Sequence, residues 1–166
     1  MPTCLFIRGV PGVGKITVAR LLERDLKWPV IWVHLLDPIY KTIGQYKCPA
    51  LTDKLIRAVA WEVMGSGRDL IVVRPSRQVN GVHELHHDAM SWGHKFIPVK
   101  LTAAYPVLVT RVTRRWTESP YRLTTREALD EYLADRAEES FPGEFEVKTD
   151  HMTPEQVAGR VKELLP

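Results

Sequence analysis

Residues 3–17 read TCLFIRGVPGVGKIT: an apolar run, a glycine-rich loop closed by a lysine, and the start of a new apolar segment. Thr3–Arg8 is short, apolar and ends at a glycine, the pattern of a strand buried on both faces. Gly14–Leu26 carries Val18, Ala19, Leu21, Leu22 and Leu26, the pattern of a helix buried on most sides. Strand, glycine loop and helix in that order form the context in which the pattern G-x-x-x-x-G-K-[ST] has physical meaning. Gly9, Gly14 and Lys15 stand where the pattern wants them. The next position should carry a hydroxyl and is Ile16, with Thr17 one place late. Glycines let backbone N–H groups turn inward on an anion, the helix N-terminus adds partial positive charge, and Lys15 adds a full one.

The rest of the chain repeats the alternation. Pro29–Leu35 reads as a second strand, and Leu51, Leu55, Ile56, Val59, Ala60, Val63 and Met64 set a helix that Gly65 and Gly67 stop. Asp69–Arg74 is a third strand, halted by Pro75, and Asn80–Trp92 is helical. Lys95–Leu101 is a fourth strand despite Pro98. Ala104–Arg115 is a helix with Pro106 in its first turn, and Thr124-x-x-Glu127 is a capping box opening a helix to about Glu139. Phe145–Lys148 is a short fifth strand. Thr153, Pro154 and Gln156 open the last helix, whose stripe is Val157, Ala158, Val161, Leu164 and Leu165. Five strands alternating with helices predict an α/β fold in three layers, a parallel sheet covered on both faces. Such sheets bind ligands beyond the carboxyl ends of their strands, so the polar residues there are the candidates.

Composition narrows the class. The 166 residues suit one domain, 1–166, and at 45% hydrophobic and 26% charged are ordinary for a soluble globular protein. No apolar run reaches the roughly 20 residues of a membrane span, and MPTCLFIRGV reads as a strand and not a leader. Cys4 and Cys48 form no C-x-x-C pair, which suits reduced thiols and a cytoplasmic location. A net charge of +3 permits an anionic substrate without demanding nucleic acid.

GVPGVGKIT, residues 9–17, resembles the G-x-P-G-x-G-K-x-T loop of small P-loop kinases: nucleoside monophosphate kinases, shikimate and gluconate kinases, polynucleotide kinases and chloramphenicol phosphotransferase. The resemblance covers most of the chain in outline and is specific only at the loop. It implies the P-loop NTPase fold with strand order 2-3-1-4-5, ATP and Mg²⁺ as cofactors, and a nucleotide donor held by Gly9, Pro11, Gly12, Val13, Gly14, Lys15, Ile16 and Thr17. Adenylate kinases also place a residue without a hydroxyl after the lysine and a threonine next, so Ile16-Thr17 is a tolerated variant. Thr17 is then the residue expected near the phosphates and the Mg²⁺, directly or through water.

Beyond the loop the resemblance is positional. Asp37 follows the second strand, where some members carry the aspartate that activates the acceptor hydroxyl; a helix N-cap before Pro38 explains it equally. Lys41, one turn on, either holds an anionic acceptor or is a solvated lysine. The third strand of related kinases often ends in a metal-orienting aspartate, and here it ends in Arg74. Arg74 and Arg77 either reach an anionic acceptor or form surface ion pairs. Arg111, Arg114, Arg115, Arg122 and Arg126 form the densest basic stretch, where relatives have a lid; residues 113–126 are its expected extent. Arg115 and Arg122 are the first choices for the transferring phosphoryl group and Arg111 for stacking on adenine. The alternative is a solvated basic helix end. Trp116 is the one tryptophan placed for stacking; Trp28, Trp32, Trp61 and Trp92 read as core or boundary. Lys148, Thr149, Asp150, His151 and Met152 follow the last strand, where relatives border the adenine.

A competing motif is HELHH, residues 83–87, which matches the zinc-helix pattern H-E-x-x-H, but position 93, where a third ligand belongs, is glycine. Several exposed histidines on one helix are the plainer explanation. The sequence thus points to a phosphotransferase that moves the γ-phosphoryl group of ATP to a hydroxyl or phosphate. Residues 37–50 and the helix after them are the expected acceptor site. The leading acceptors are a nucleoside, a nucleotide or a nucleic-acid 5′ end or modified base. A small hydroxylated metabolite or antibiotic is second. A P-loop ATPase or nucleotide sensor without transfer is the alternative of another class, supported by Arg74.

Overall fold

The structure is a computed structural model, describing residues 1–36, 38, 42, 49–74, 80–114, 123–135 and 139–166. Among them are five strands: β1 (Thr3–Arg8), β2 (Val30–Trp32), β3 (Leu70–Arg74), β4 (Lys95–Thr102) and β5 (Phe145–Lys148). Six helices join them: α1 (Lys15–Leu26), α2 (Pro49–Gly65), α3 (Asn80–Ser91), α4 (Tyr105–Thr113), α5 (Arg126–Asp135) and α6 (Pro154–Lys162). All strand pairings are parallel and the order is β2-β3-β1-β4-β5. The three-layer architecture expected from the sequence is therefore the one found.

Two apolar layers sandwich the sheet. On one face Leu5, Ile7, Ile71, Val73, Val99 and Leu101 pack with Val18, Ala19 and Leu22 of α1, Leu108 and Val112 of α4, and Val157 and Val161 of α6. On the other, Cys4, Phe6, Leu70 and Val72 pack with Ile56, Ala60 and Met64 of α2, Val82, Leu85 and Ala89 of α3, and Phe141. Successive residues of β1 thus serve opposite faces, which is why TCLFI is apolar without alternation.

Pro98 sits in β4 opposite Phe6 of β1, and pairing of β4 with β5 begins only at Val99. At Pro98 the sheet is still an edge on the β5 side, so a residue lacking an N–H is accommodated there. The second strand is shorter than its apolar run: after Trp32, opposite Val73, the chain turns into a 3₁₀ helix at Val33–Leu36. β2 is an edge strand paired only to β3, so nothing continues its ladder. The cap of α5 also differs. Thr125, not Thr124, accepts the N–H of Ala128 at 3.2 Å, so Glu127 falls one place short of a capping box. The helix α5 is described to Asp135, and 136–138, over which the sequence extends it toward Glu139, lie outside the described residues. On α6 the expected box is complete, with Thr153 and Gln156 each bonding the other's backbone.

Asp88, buried on α3, is held by Arg57 of α2 through a forked pair that also reaches Glu84 at 3.0 Å. The fork to Asp88 is the first cause of the raised pKa of Arg57. Removing the fork leaves a buried carboxylate without its cation. Arg57→Ala is expected to cost about 2 kcal/mol, a fall of several degrees in thermal unfolding. Arg57→Lys should recover part of that loss.

Candidate functional site

The loop between β1 and α1 is shaped by close approach. Gly9 has φ 144°, and a Cβ there would lie 2.3 Å from the carbonyl oxygen of Leu101 on β4. Gly12 has φ 94°, and its Cβ would meet the Leu108 carbonyl at 3.3 Å and Val112 at 3.1 Å. No L side chain fits either backbone without strain. The loop is thus pressed onto the end of β4 on one side and onto α4 on the other, while Val10 and Val13 are buried as anchors.

Gly14, at φ 95°, is the N-cap of α1 and supplies no side-chain hydrogen bond, and the first turn contains no acidic residue. The first-turn amides of this 12-residue helix therefore have no side-chain cap from Gly14 and no acidic residue within the turn itself. Lys15 Nζ donates to the carbonyls of Gly9 at 2.7 Å and Val10 at 2.9 Å, which folds the ammonium back over the loop. A loop of glycines at positive φ, an uncapped helix start and a primary ammonium together suit a phosphate chain.

Ile16 and Thr17 separate cleanly. Ile16 packs against the core layer beneath α1, while Thr17 is exposed on the first turn. The position that usually carries the hydroxyl has become a packing position, and the hydroxyl has moved one residue round the helix. Ile16→Thr is accordingly expected to destabilise the fold by about 1 kcal/mol, read by chemical denaturation. Thr17→Val should stay within about 0.5 kcal/mol of the parent, as exposed substitutions do.

Arg111, on the last turn of α4, donates to the hydroxyl of Thr149 at 2.8 Å and to its carbonyl at 2.7 Å. Thr149 is buried at the end of β5 and its N–H bonds Thr102 O at 2.8 Å. Asp150 accepts the N–H of Ala104, which ties the start of α4 to the same corner. The structure thus brings together Arg111 and the 148–152 loop, the two stretches that the resemblance places near the adenine. Because α4 also touches Gly12, this corner borders the phosphate loop. Arg126 is directed elsewhere: it donates to Tyr105 Oη at 3.1 Å and lies 3.7 Å from Asp130, linking α5 to α4.

Arg74 ends β3 level with Arg8 of β1. It is paired with Asp53 of α2, and its guanidinium packs so closely on Gly81 that a Cβ there would lie 2.7 Å from Nη1. Asp37, Lys41, Arg77, Arg115, Arg122 and Trp116 lie outside the described residues, as does most of the expected lid. Trp61 and Trp92 meet edge to face, 5.1 Å apart and partly exposed, as boundary residues do.

The HELHH segment does not gather as a metal site. Glu84 is engaged by Arg57, His83 lies against Phe141 at 4.9 Å, and His86 lies against Phe96 at 5.1 Å. Among the described residues no three His, Cys, Asp or Glu side chains converge. His94 is buried, with Nε2 3.1 Å from Arg68 O and Nδ1 3.3 Å from Trp92 O, a structural histidine. Burial, with Asp88 adding to it, pushes the Cys4 thiol well up, so it stays protonated and inert.

Two residues that matter here were passed over in the sequence. Arg8 is fully buried and forked onto Glu144, also buried. The signal for Arg8 was present: an arginine ending a strand buried on both faces needs a buried partner. Nothing local marks Glu144 as that partner.

No protein-family model and no curated protein sequence matches the chain. Solved structures do. A Chloroflexus aurantiacus protein provisionally described as a kinase is 16% identical, with 99% of each chain covered and a TM-score of 0.77. The APS kinase of Mycobacterium tuberculosis, solved with AMPPNP and APS, is 15% identical over 99% of this chain and 97% of its own, at 0.72. A gluconokinase of Sinorhizobium meliloti is 16% identical over 96% and 89%, at 0.68. The chain has the fold of the small P-loop kinases. Among the described residues no helix is long and apolar enough to cross a membrane.

Proposed function

We propose that this chain, acting as a single unit over 1–166 with a lid at about 113–126, is an ATP-dependent phosphotransferase of the cytoplasm. The observation that carries this is the loop itself: Lys15 folded over glycines at positive φ, at a helix start with no side-chain cap and no acidic residue in its first turn. In this reading Gly9–Thr17 and Lys15 hold the β- and γ-phosphates of ATP, and Arg111, steadied by Thr149, packs on the adenine. Mg²⁺ supplies charge neutralisation on the phosphates when bound, and Thr17 is the loop hydroxyl exposed to meet it, directly or through water.

The acceptor hydroxyl oxygen attacks the γ-phosphorus, the bond to the β-γ bridging oxygen breaks, and ADP leaves. Asp37 takes the hydroxyl proton, and Arg115 and Arg122 neutralise the transferring group. Lys41, Arg74 and Arg77 hold the acceptor. Support for Arg74 is its place at the carboxyl end of β3, beside β1, with a carboxylate, Asp53, that an anionic acceptor can replace.

For the acceptor, a nucleoside, nucleotide or nucleic-acid hydroxyl remains our leading class, consistent with the net charge of +3. The similar solved structures favour a second reading, a small hydroxylated metabolite, since they are named as kinases of gluconate and APS. An arginine where relatives carry a metal-orienting aspartate keeps a third in play, ATP hydrolysis or sensing without transfer.

Incubation with γ-labelled ATP, Mg²⁺ and separate pools of oligonucleotides, nucleosides with nucleotides, and hydroxylated small molecules decides among these. Label is expected in one pool; label released only as free phosphate contradicts transfer. Lys15→Ala should remove ATP binding. Asp37→Asn should lower transfer by about 100-fold or more while ATP affinity stays within about twofold; unchanged transfer takes Asp37 out of the base role.

A further inference from the structure

β5 is a weakly seated strand. It is four residues long, sits at the edge of the sheet, and only Val147 is partly buried; Phe145, Glu146 and Lys148 are exposed. Burial therefore gives little preference for one register on β4 over another. Polar contacts hold it instead, one within the strand, where Glu146 accepts from the Thr102 hydroxyl at 3.1 Å, and others at its two ends. At the far end, Thr149 N–H bonds Thr102 and Thr149 receives Arg111. At the near end stands Glu144, and Arg8 reaches it from β1, two strands away.

The Arg8 side chain is 0% exposed and that of Glu144 is 5% exposed. Arg8 Nε donates to one carboxylate oxygen, and Nη2 donates to the other at 2.6 Å and to the Glu139 carbonyl at 2.6 Å. A forked pair of this kind fixes both distance and direction. It also leads straight into the loop: the next residue is Gly9, whose carbonyl takes Lys15 and whose backbone is wedged against Leu101 of β4.

We propose that Arg8 is a positioning residue for nucleotide binding. Through Glu144 it sets the start of β5 against the end of β1, so that Thr149 at the other end presents Arg111 beside the phosphate loop. This rests on the nucleotide-binding reading above. Two consequences follow from the geometry. The fork makes the loop and the Thr149–Arg111 corner one rigid unit, although they lie far apart in sequence. A lysine at position 8 can hold Glu144 with a single ammonium but cannot reproduce the fork.

A buried ion pair can be replaced by apolar side chains without loss of stability, which separates positioning from folding. The test is the double variant Arg8→Met with Glu144→Leu in the full chain, beside Arg8→Lys and Thr149→Val. Three quantities are measured: thermal midpoint, hydrogen exchange of the 145–149 amides without nucleotide, and affinity for a fluorescent ATP analogue.

The double variant should keep its midpoint, exchange faster at 145–149, and bind the analogue about tenfold more weakly, the loss of one well-placed cation–aromatic contact. Adding Thr149→Val should then lower affinity little further, because both act through Arg111. Arg8→Lys should fall between the parent and the double variant, and it carries the same expectation if the double variant does not fold. Parental exchange and parental affinity in a folded variant would overturn the role of Arg8 while leaving nucleotide binding intact. A parent that binds no ATP analogue would overturn the nucleotide reading, and this role with it, whatever the exchange shows.

Discussion

β1 is removed from water on both faces along its whole length, and the architecture follows from that constraint. A central strand so completely desolvated needs paired neighbours on both edges and helices on both faces, and β3, β4, α1 and α2 supply them. It also dictates what happens where the strand stops. Arg8, the last residue, is charged and still buried, so it carries its counter-ion into the interior as Glu144. Gly9, the next, turns where no Cβ has room. A buried ion pair and a glycine loop thus meet at that single step from apolar strand to loop.

From this step the two halves of the candidate site diverge. On the side proposed for the donor, the loop lies against Leu101 and Leu108, Lys15 bonds Gly9 and Val10, and Arg111 bonds Thr149. On the side proposed for the acceptor, the described contacts are those of Arg74 with Asp53 and Gly81. A phosphotransferase of this fold needs the donor phosphates held still, since catalysis there is largely positioning and charge stabilisation. Lys15 held by the loop and Arg111 held by Thr149 on the proposed donor side, with Arg74 matched to a carboxylate on the proposed acceptor side, fit that requirement.

The fold was legible because its signals are local. Buried parallel strands read as continuous apolar runs, and TCLFIR, DLIVVR and KFIPVKL were recognisable as such. The loop was legible because glycine has a conformational reason to recur at fixed offsets. What was not legible depends on partners distant in sequence. Arg8 meets Glu144 across 136 positions and Arg111 meets Thr149 across 38, and neither separation leaves a pattern. The early end of β2 has the same origin: its apolar run continues, but its ladder does not. Thr124 and Thr125 are both good caps, and only the helix start decides between them. HELHH matches a short spacing rule that ignores neighbours, and Arg57 and Phe141 engage its Glu84 and His83.

A phosphotransferase of this design requires the glycine loop to hold a phosphate chain rather than any anion. The most direct measurement is calorimetric titration of the chain with ATP and with AMP at one Mg²⁺ concentration. Binding of ATP at least about tenfold tighter than AMP is predicted, since Lys15 and the α1 amides act on the β- and γ-phosphates that AMP lacks. AMP bound as tightly as ATP, or neither nucleotide bound, would contradict it.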